Sequence, residues 1–346
     1  GTVTLFQLLR QHLRPYRAWL AVIVALQFAA ALAMLYLPSL NADIIDDGVA
    51  VGDNAYVLRV GLIMLAITFA QAAAQMVSAY FAGRTAMSVG RDLRARIFAQ
   101  IGTFSNREVS QFSTASLITR ATNDVQQVQM LTLMICSMAI GVPIMMVGGV
   151  IMAMREDLGL SWLIVASVPA LGLAVSVVVT KMVPAFRTVQ ERLDGVNRTL
   201  REQITGIRVV RAFVREEQEQ ARFEEGNAEL TRAALSAGRW MSAMFPLVLA
   251  VSNIASVGVI WFGGQRVDAG QMEVGALTAF LSYLLQILTS VMMATFMLIS
   301  VPRASVSAER IDEVLQTSSS VVPPSSPVRE LAQRGHVDLR NVSLRY

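Results

Sequence analysis

Cysteine, lysine and histidine are nearly missing from this chain. Cys136 stands alone among 346 residues, so no intrachain disulfide can form. His12 and His336 lie near opposite ends without cysteine partners, which leaves no ligand set for a structural metal. Lys181 is the one lysine, and every other strongly basic residue is arginine. Charge of either sign is scarce: Asp, Glu, Lys and Arg make up 16% of the chain, against about 25% in an ordinary soluble domain. The net charge of +4 is no nucleic-acid footprint, because no basic patch is interleaved with aromatics; nucleic acid is not an expected partner.

What fills the sequence instead is apolar. Hydrophobic residues make up 54% of it and gather in long blocks, the pattern of a membrane protein. Six spans are predicted at about 19–37, 57–81, 131–154, 160–182, 241–262 and 274–301. Each approaches or exceeds the ~20 residues that cross a ~30 Å hydrocarbon layer. The first resembles a signal peptide in its upstream Arg10, Arg14 and Arg17, but its apolar run continues to Leu37 and five more spans follow. It reads as an uncleaved helix.

Arginine placement gives the orientation. With the N-terminus in the cytoplasm, the outer segments hold only Arg59, Arg155 and Arg266, beside Asp43, Asp46, Asp47, Asp53, Glu156, Asp157, Asp268 and Glu273. An even span count returns the C-terminus to the cytoplasm, and the plasma (inner) membrane is the expected location. The two inner connections, about 82–130 and 183–240, are long. Ala86, Val89, Leu93, Ile97 and Ile101 recur at helical spacing in the first. Phe186, Val189, Leu193, Val196, Leu200, Ile204, Ile207 and Val210 do so in the second. Each connection therefore reads as a helical hairpin. The first tip is placed near Phe112, Ser113, Thr114, Ala115, Ser116 and Leu117. The second is placed within Thr205, Gly206, Ile207, Arg208, Val209, Val210, Arg211, Ala212 and Phe213. A static stalk of packed hairpins suits the same pattern.

The span interiors carry no Asp, Glu, Lys, Arg or His until Lys181 at the end of the fourth. Proton- and sodium-driven transporters keep acids or unwound helices there, so the energy for any transport is expected to arrive from outside the membrane. Uncharged polar residues are present: Gln71, Gln75 and Ser78 share one face of the second span, and Gln286, Met293 and Met297 lie on the sixth. They are candidates for a cavity holding an amphipathic substrate, with methionine adapting to it. Polar residues of this kind also hold helices together in bilayers.

Four stretches carry a family resemblance. LLRQHLRPYRAWL (8–20) resembles an elbow helix lying along the inner membrane surface. FSTASLITRATNDVQQV (112–128) resembles a first coupling helix, with Thr114-Ala115 where the family commonly has Thr-Gly. REQITGIRVVRAFVREE (201–217) resembles the second coupling helix. ERIDEVL (309–315), a Ser/Pro-rich stretch through Pro323, Pro324 and Pro327, and HVDLRNVSLRY (336–346) resemble the exit from the sixth span, a linker and the first strands of a nucleotide-binding domain. Together they resemble the transmembrane domain of ABC exporters, most nearly one subunit of the bacterial heterodimeric multidrug type.

The resemblance implies an all-α membrane protein of six transmembrane helices with two long cytoplasmic hairpins, dimerising into a twelve-helix bundle. It divides the chain into an elbow helix (1–18), a transmembrane domain (19–315), a linker (316–335) and the start of a nucleotide-binding domain (336–346). The implied function is ATP-driven movement of a hydrophobic or amphipathic substrate by alternating access, with export favoured over import. Membrane lipid and a second half-transporter subunit are the implied partners, a related chain being favoured over an identical one. ATP and Mg2+ would bind the nucleotide-binding domain, with Tyr346 stacking on adenine. No GxxxxGK[ST] phosphate loop occurs in this sequence. The chain alone is therefore expected to hydrolyse no ATP and to hold no catalytic residue. A secondary transporter, a channel or a membrane receptor remains the alternative outside the family.

Overall fold

The computed structural model describes residues 2–322, 326, 335 and 338–343. Among them all regular structure is helical, with no strand. The ten α-helices are α1 (Thr2–Leu13), α2 (Arg17–Asp43), α3 (Asn54–Ile101), α4 (Asn106–Phe112), α5 (Thr114–Thr119), α6 (Val125–Met138), α7 (Gly141–Glu156), α8 (Ser161–Ala212), α9 (Glu216–Asp268) and α10 (Val274–Gln316). Six helical stretches are long and apolar enough to cross a membrane: Leu5–Val49, Asn54–Ile101, Thr114–Glu156, Ser161–Ala212, Glu216–Asp268 and Val274–Gln316. Helix is the expected answer to this composition, since lipid offers no partner for an open N–H or C=O. At 1.5 Å per residue, the 52 residues of α8 and 53 of α9 each extend roughly 80 Å, more than twice the hydrocarbon thickness. The long connections are thus continuations of the spans.

The third span departs from the single helix its apolar run predicts. It is interrupted between Met138 and Gly141, just before Pro143, which has no N–H to donate. The interruption frees carbonyls of the preceding turn, and the Gln27 side-chain amide donates to Cys136 O. Pro169 and Pro246 lie within unbroken α8 and α9.

The chain divides into two compact units. The first comprises 1–34, 65–144 and 292–346. Its core joins Leu5, Leu8 and Leu9 of α1, Val89, Leu93 and Ile97 of α3, Val125, Val128 and Leu131 of α6, and Ala304, Ala308, Ile311 and Val314 of α10. The predicted stripe on α3 is its centre: Ala86, Val89, Leu93 and Ile97 are fully buried. Met87 and Arg94 of α3 both reach Gln129 of α6, and Ala82 packs near Cys136, so the two helices run antiparallel. Gly90 leaves room for the Gln129 side chain: a Cβ there would lie 2.0 Å from Gln129 Oε1, so a larger residue would push that amide aside. The apolar face of α1, within the predicted elbow, is covered by protein rather than left bare.

The second unit comprises 35–64 and 145–291. Within it α8 and α9 form one antiparallel hairpin from end to end. Asp157, just before α8, pairs with Arg266 at 3.0 Å; Trp162 meets Phe262 at 5.3 Å between ring centroids; Arg192 pairs with Glu229 at 2.7 Å and Glu202 with Arg222 at 3.0 Å. The buried Tyr283 donates its hydroxyl to Leu35 O at 2.8 Å. Gly275 N donates to Asp46 Oδ1 at 2.7 Å, and a Cβ on Gly275 would lie 2.4 Å from Ala42 O.

Leu93→Ala, at the centre of the first unit's core, should cost about 2–5 kcal/mol, read as a lower melting temperature of the purified protein. Leu93→Met should cost less than about 1.5 kcal/mol. Equal melting of the two variants would contradict the packing described.

Candidate functional site: the two hairpin ends

The first hairpin ends on α4. Ser105 caps it: Ser105 Oγ accepts from Arg107 N at 3.3 Å, while Glu108 accepts from Ser105 N at 2.8 Å and from Ser105 Oγ at 2.5 Å. This S-x-x-E capping box satisfies donors that would otherwise be open at the helix start. Between the antiparallel α3 and α6 the chain reverses through α4 and α5, which hold the predicted tip residues 112–117. The capping box in SNRE (105–108) is the sequence signal for the start of α4. Of the predicted tip residues, Phe112 and Leu117 turn inward, buried to 7% and 5% exposure. Ser113, Thr114 and Ala115 are exposed and Ser116 half-buried. Phe112 is stacked against Phe104 and lies under the Arg120 guanidinium at 4.8 Å. Ser113 turns the chain at φ 62° between α4 and α5, and its Oγ accepts from Ser116 N at 3.3 Å.

The chain leaving α10 is fastened to this end. Gln100 Nε2 donates to Thr317 O at 2.7 Å, Ser320 N donates to Glu108 Oε1 at 3.1 Å, and the hydroxyls of Ser105 and Ser320 lie 3.0 Å apart. About two to three helical turns back along α10, the buried Asp124 accepts from Ser307 Oγ at 3.0 Å and pairs with Arg310 Nε at 3.3 Å. Arg120 donates to Arg310 O at 2.7 Å and pairs with Glu313 at 2.5 Å. A buried carboxylate is costly unless it is paired, so these contacts hold α10 against the returning limb of the first hairpin.

The second hairpin ends on Phe213–Arg215. Arg215 N donates to Val210 O at 3.0 Å and Val214 N to Arg211 O at 3.2 Å, the bonding of a Schellman helix stop. That stop needs a left-handed residue, and here it is Val214 at φ 51°. Glycine is the usual occupant; a β-branched side chain there is strained. Phe213 and Val214 are 74% and 82% exposed. The predicted residues Thr205, Gly206, Ile207, Arg208, Val209, Val210, Arg211 and Ala212 are the last turns of α8, with open space around Gly206. On the approach, Phe186, Leu193, Leu200, Ile204 and Ile207 of the predicted stripe are exposed, while Val196 is buried. A two-helix hairpin has room to cover only one side of each helix.

The predicted cavity residues are divided. Gln71, Gln75, Ser78, Met293 and Met297 belong to the first unit and Gln286 to the second. Ser78 is buried; Gln75 and Met293 are exposed. Several hydroxyls of the spans are spent on their own helices: Ser256 on Ser252 O, Ser282 on Thr278 O, Thr289 on Leu285 O and Ser290 on Gln286 O. Tyr346, the predicted adenine platform, lies outside the described residues.

Comparison with known proteins gives these ends a context. The family described as the ABC transporter transmembrane region matches residues 20–291. An uncharacterized ABC transporter ATP-binding protein of Mycobacterium tuberculosis is 48% identical over 323 residues, covering 93% of this chain and 56% of its own length. The uncharacterized ABC transporter ATP-binding protein YfiB of Bacillus subtilis is 30% identical over 334 residues, covering 96% of this chain and 58% of its own. A multidrug efflux ATP-binding/permease protein of Mycobacterium tuberculosis is 27% identical over 325 residues, covering 93% of this chain and 27% of its own. The chain thus spans little more than half the length of the first two.

Two outcomes follow from the geometry. Val214→Gly should relieve the strained stop and stabilise the protein by about 1 kcal/mol, seen as a higher melting temperature; an unchanged or lower one would contradict the strain. Hydrogen bonds from Ser105 and Ser320 hold the Glu108 carboxyl down at about 2, against 4.5 ordinarily. Its contribution is therefore complete above the ordinary carboxylate range and is lost as pH falls through about 2. Amide exchange at Ser320, corrected for intrinsic rate, should stay protected from neutral pH down to about 4 and loosen below. Glu108→Gln should expose it several-fold already at neutral pH.

Proposed function

This chain belongs to the ABC transporter transmembrane region family, and we propose that it forms half of the membrane pathway of an ATP-driven exporter for hydrophobic or amphipathic compounds. The observation that carries this reading is the end of the α8–α9 hairpin. There two large apolar side chains, Phe213 and Val214, stand 74% and 82% exposed, roughly 80 Å along the hairpin from the start of α8. Exposed apolar tips of this kind mark a binding surface, and here a nucleotide-binding domain is the partner. The relatives, of which the matched part is little more than half, carry "ATP-binding" in their names, which supports a motor continuous with such a chain. Hydrolysis of ATP supplies the energy, Tyr346 contributes its ring to the adenine, and this chain's hairpins relay the movement.

The partner across the membrane is a second half-transporter, a related chain rather than an identical copy. The exposed stripe from Phe186 to Ile207 supports a second subunit, being apolar surface that a lone hairpin leaves bare. Both termini then lie in the cytoplasm, and the two halves form a twelve-helix bundle in the plasma membrane. The span interiors are free of acids and bases, which agrees with energy entering through the hairpins and not through an ion site. Gln71, Gln75, Ser78, Gln286, Met293 and Met297 are the residues assigned to the shared cavity. The name of the multidrug efflux relative supports an outward direction and drug-type cargo.

Phe213→Asp in the intact protein, reconstituted with its partner in liposomes, separates relay from hydrolysis. ATP turnover should persist while efflux of a hydrophobic fluorescent dye falls at least tenfold. Wild-type efflux by that variant would overturn the assignment.

A further inference from the structure

A π-helical turn, Arg120–Asp124, joins α5 to α6. Turns of this kind are rare and recur at functional sites. Its first and last residues both hold Arg310 of α10. Arg120 donates to Arg310 O at 2.7 Å, and Asp124 pairs with Arg310 Nε at 3.3 Å. One residue of α10 is thus gripped by its backbone and by its side chain. On its other side Arg120 holds the corner between α4 and α5. Its guanidinium lies over the Phe112 ring at 4.8 Å, and its Nε donates to Ser116 Oγ at 3.3 Å. A single side chain, 11% exposed, therefore touches α4, α5 and α10. All of these residues belong to the first unit.

The contacts differ in weight. Glu313, the acid paired with Arg120, is 54% exposed, and an ion pair open to water is worth little. The bonds to Arg310 O and Ser116 Oγ come from a side chain shielded from water. A planar guanidinium makes both while stacked on a ring; the point charge of a lysine does not. Peptide dipoles lie along the axis of their helix, so a shift of α10 along its own length pulls on the Arg120–Arg310 O bond directly. The rigid guanidinium plane passes that pull to Phe112 and Ser116. Thr114 and Ala115, exposed at the start of α5, then move with it.

We propose that Arg120 is a positioning residue of the relay: it makes the exposed start of α5 follow the chain leaving α10. The first hairpin's end then takes its movement from its own chain's connection to the motor, which rests on the transport reading above. In the intact protein reconstituted with its partner, Arg120→Met and Arg120→Lys should each lower the dye moved per ATP hydrolysed at least tenfold, because neither makes the fork. Glu313→Gln leaves the Arg310 O and Ser116 bonds in place and should keep more than half of the wild-type ratio. Loss of folded protein lowers efflux and hydrolysis together, so a purely structural role leaves the ratio unmoved. A second readout needs no motor, and it separates failure of this clamp from failure of the transport reading. Nitroxides on Ala115→Cys and Val306→Cys, an exposed position of α10, in a Cys136→Ser background should give one narrow distance by double electron–electron resonance without nucleotide. Adding Arg120→Met should broaden that distribution. A wild-type ratio in Arg120→Met, a ratio as low in Glu313→Gln as in Arg120→Met, or an unchanged distance distribution would overturn the proposal.

Discussion

A chain in hydrocarbon must close each backbone hydrogen bond within its own helix, and most of this molecule follows from that requirement. The six apolar stretches are helical because nothing else is permitted to them. Once a helix is running, stopping it at the membrane surface would open four carbonyls, whereas continuing costs little when the residues keep helical propensity. So α3, α8, α9 and α10 run on into water. Where continuity fails, a replacement appears: the break after Met138 is met by the Gln27 amide on Cys136 O.

Long helices make rigid levers, and the ends of the levers differ. The first hairpin's end is closed in on its own unit. Phe112 and Leu117 are turned into the core, Glu108 closes the cap of α4 and reaches Ser320, and Asp124 is paired with Arg310. Movement of α10 and of the chain beyond it is thereby tied to the first hairpin. The second hairpin's end is open, with a strained Val214 beside an exposed Phe213. A hairpin end that presents apolar surface is suited to receive force from a separate body.

The parts of this arrangement that rest on local periodicity were legible in the sequence. The Ala86–Ile97 stripe predicts a buried helix face, and that face is the core of the first unit. Periodicity identifies a face but not what covers it, so the equivalent Phe186–Val210 stripe predicts a helix correctly while much of it is bare in this chain. The predicted tip residues 112–117 lie at the end of α4 and the start of α5, and the Ser105–Glu108 capping box is a further local signal that marks where α4 begins. The break in the third span is hidden inside an uninterrupted apolar run. Contacts such as Glu108 with Ser320 and Arg120 with Glu313 join residues about two hundred positions apart, and no spacing rule reaches them.

The central claim is that the open end of the α8–α9 hairpin seats on a nucleotide-binding domain. It is tested most directly by placing a photoreactive benzophenone at Val214→Cys in a Cys136→Ser background of the intact protein in membranes, then mapping the cross-linked peptides by mass spectrometry. The account predicts adducts on the nucleotide-binding domain, altered in yield by ATP. Adducts confined to lipid, to solvent or to the protein's own transmembrane helices would contradict it.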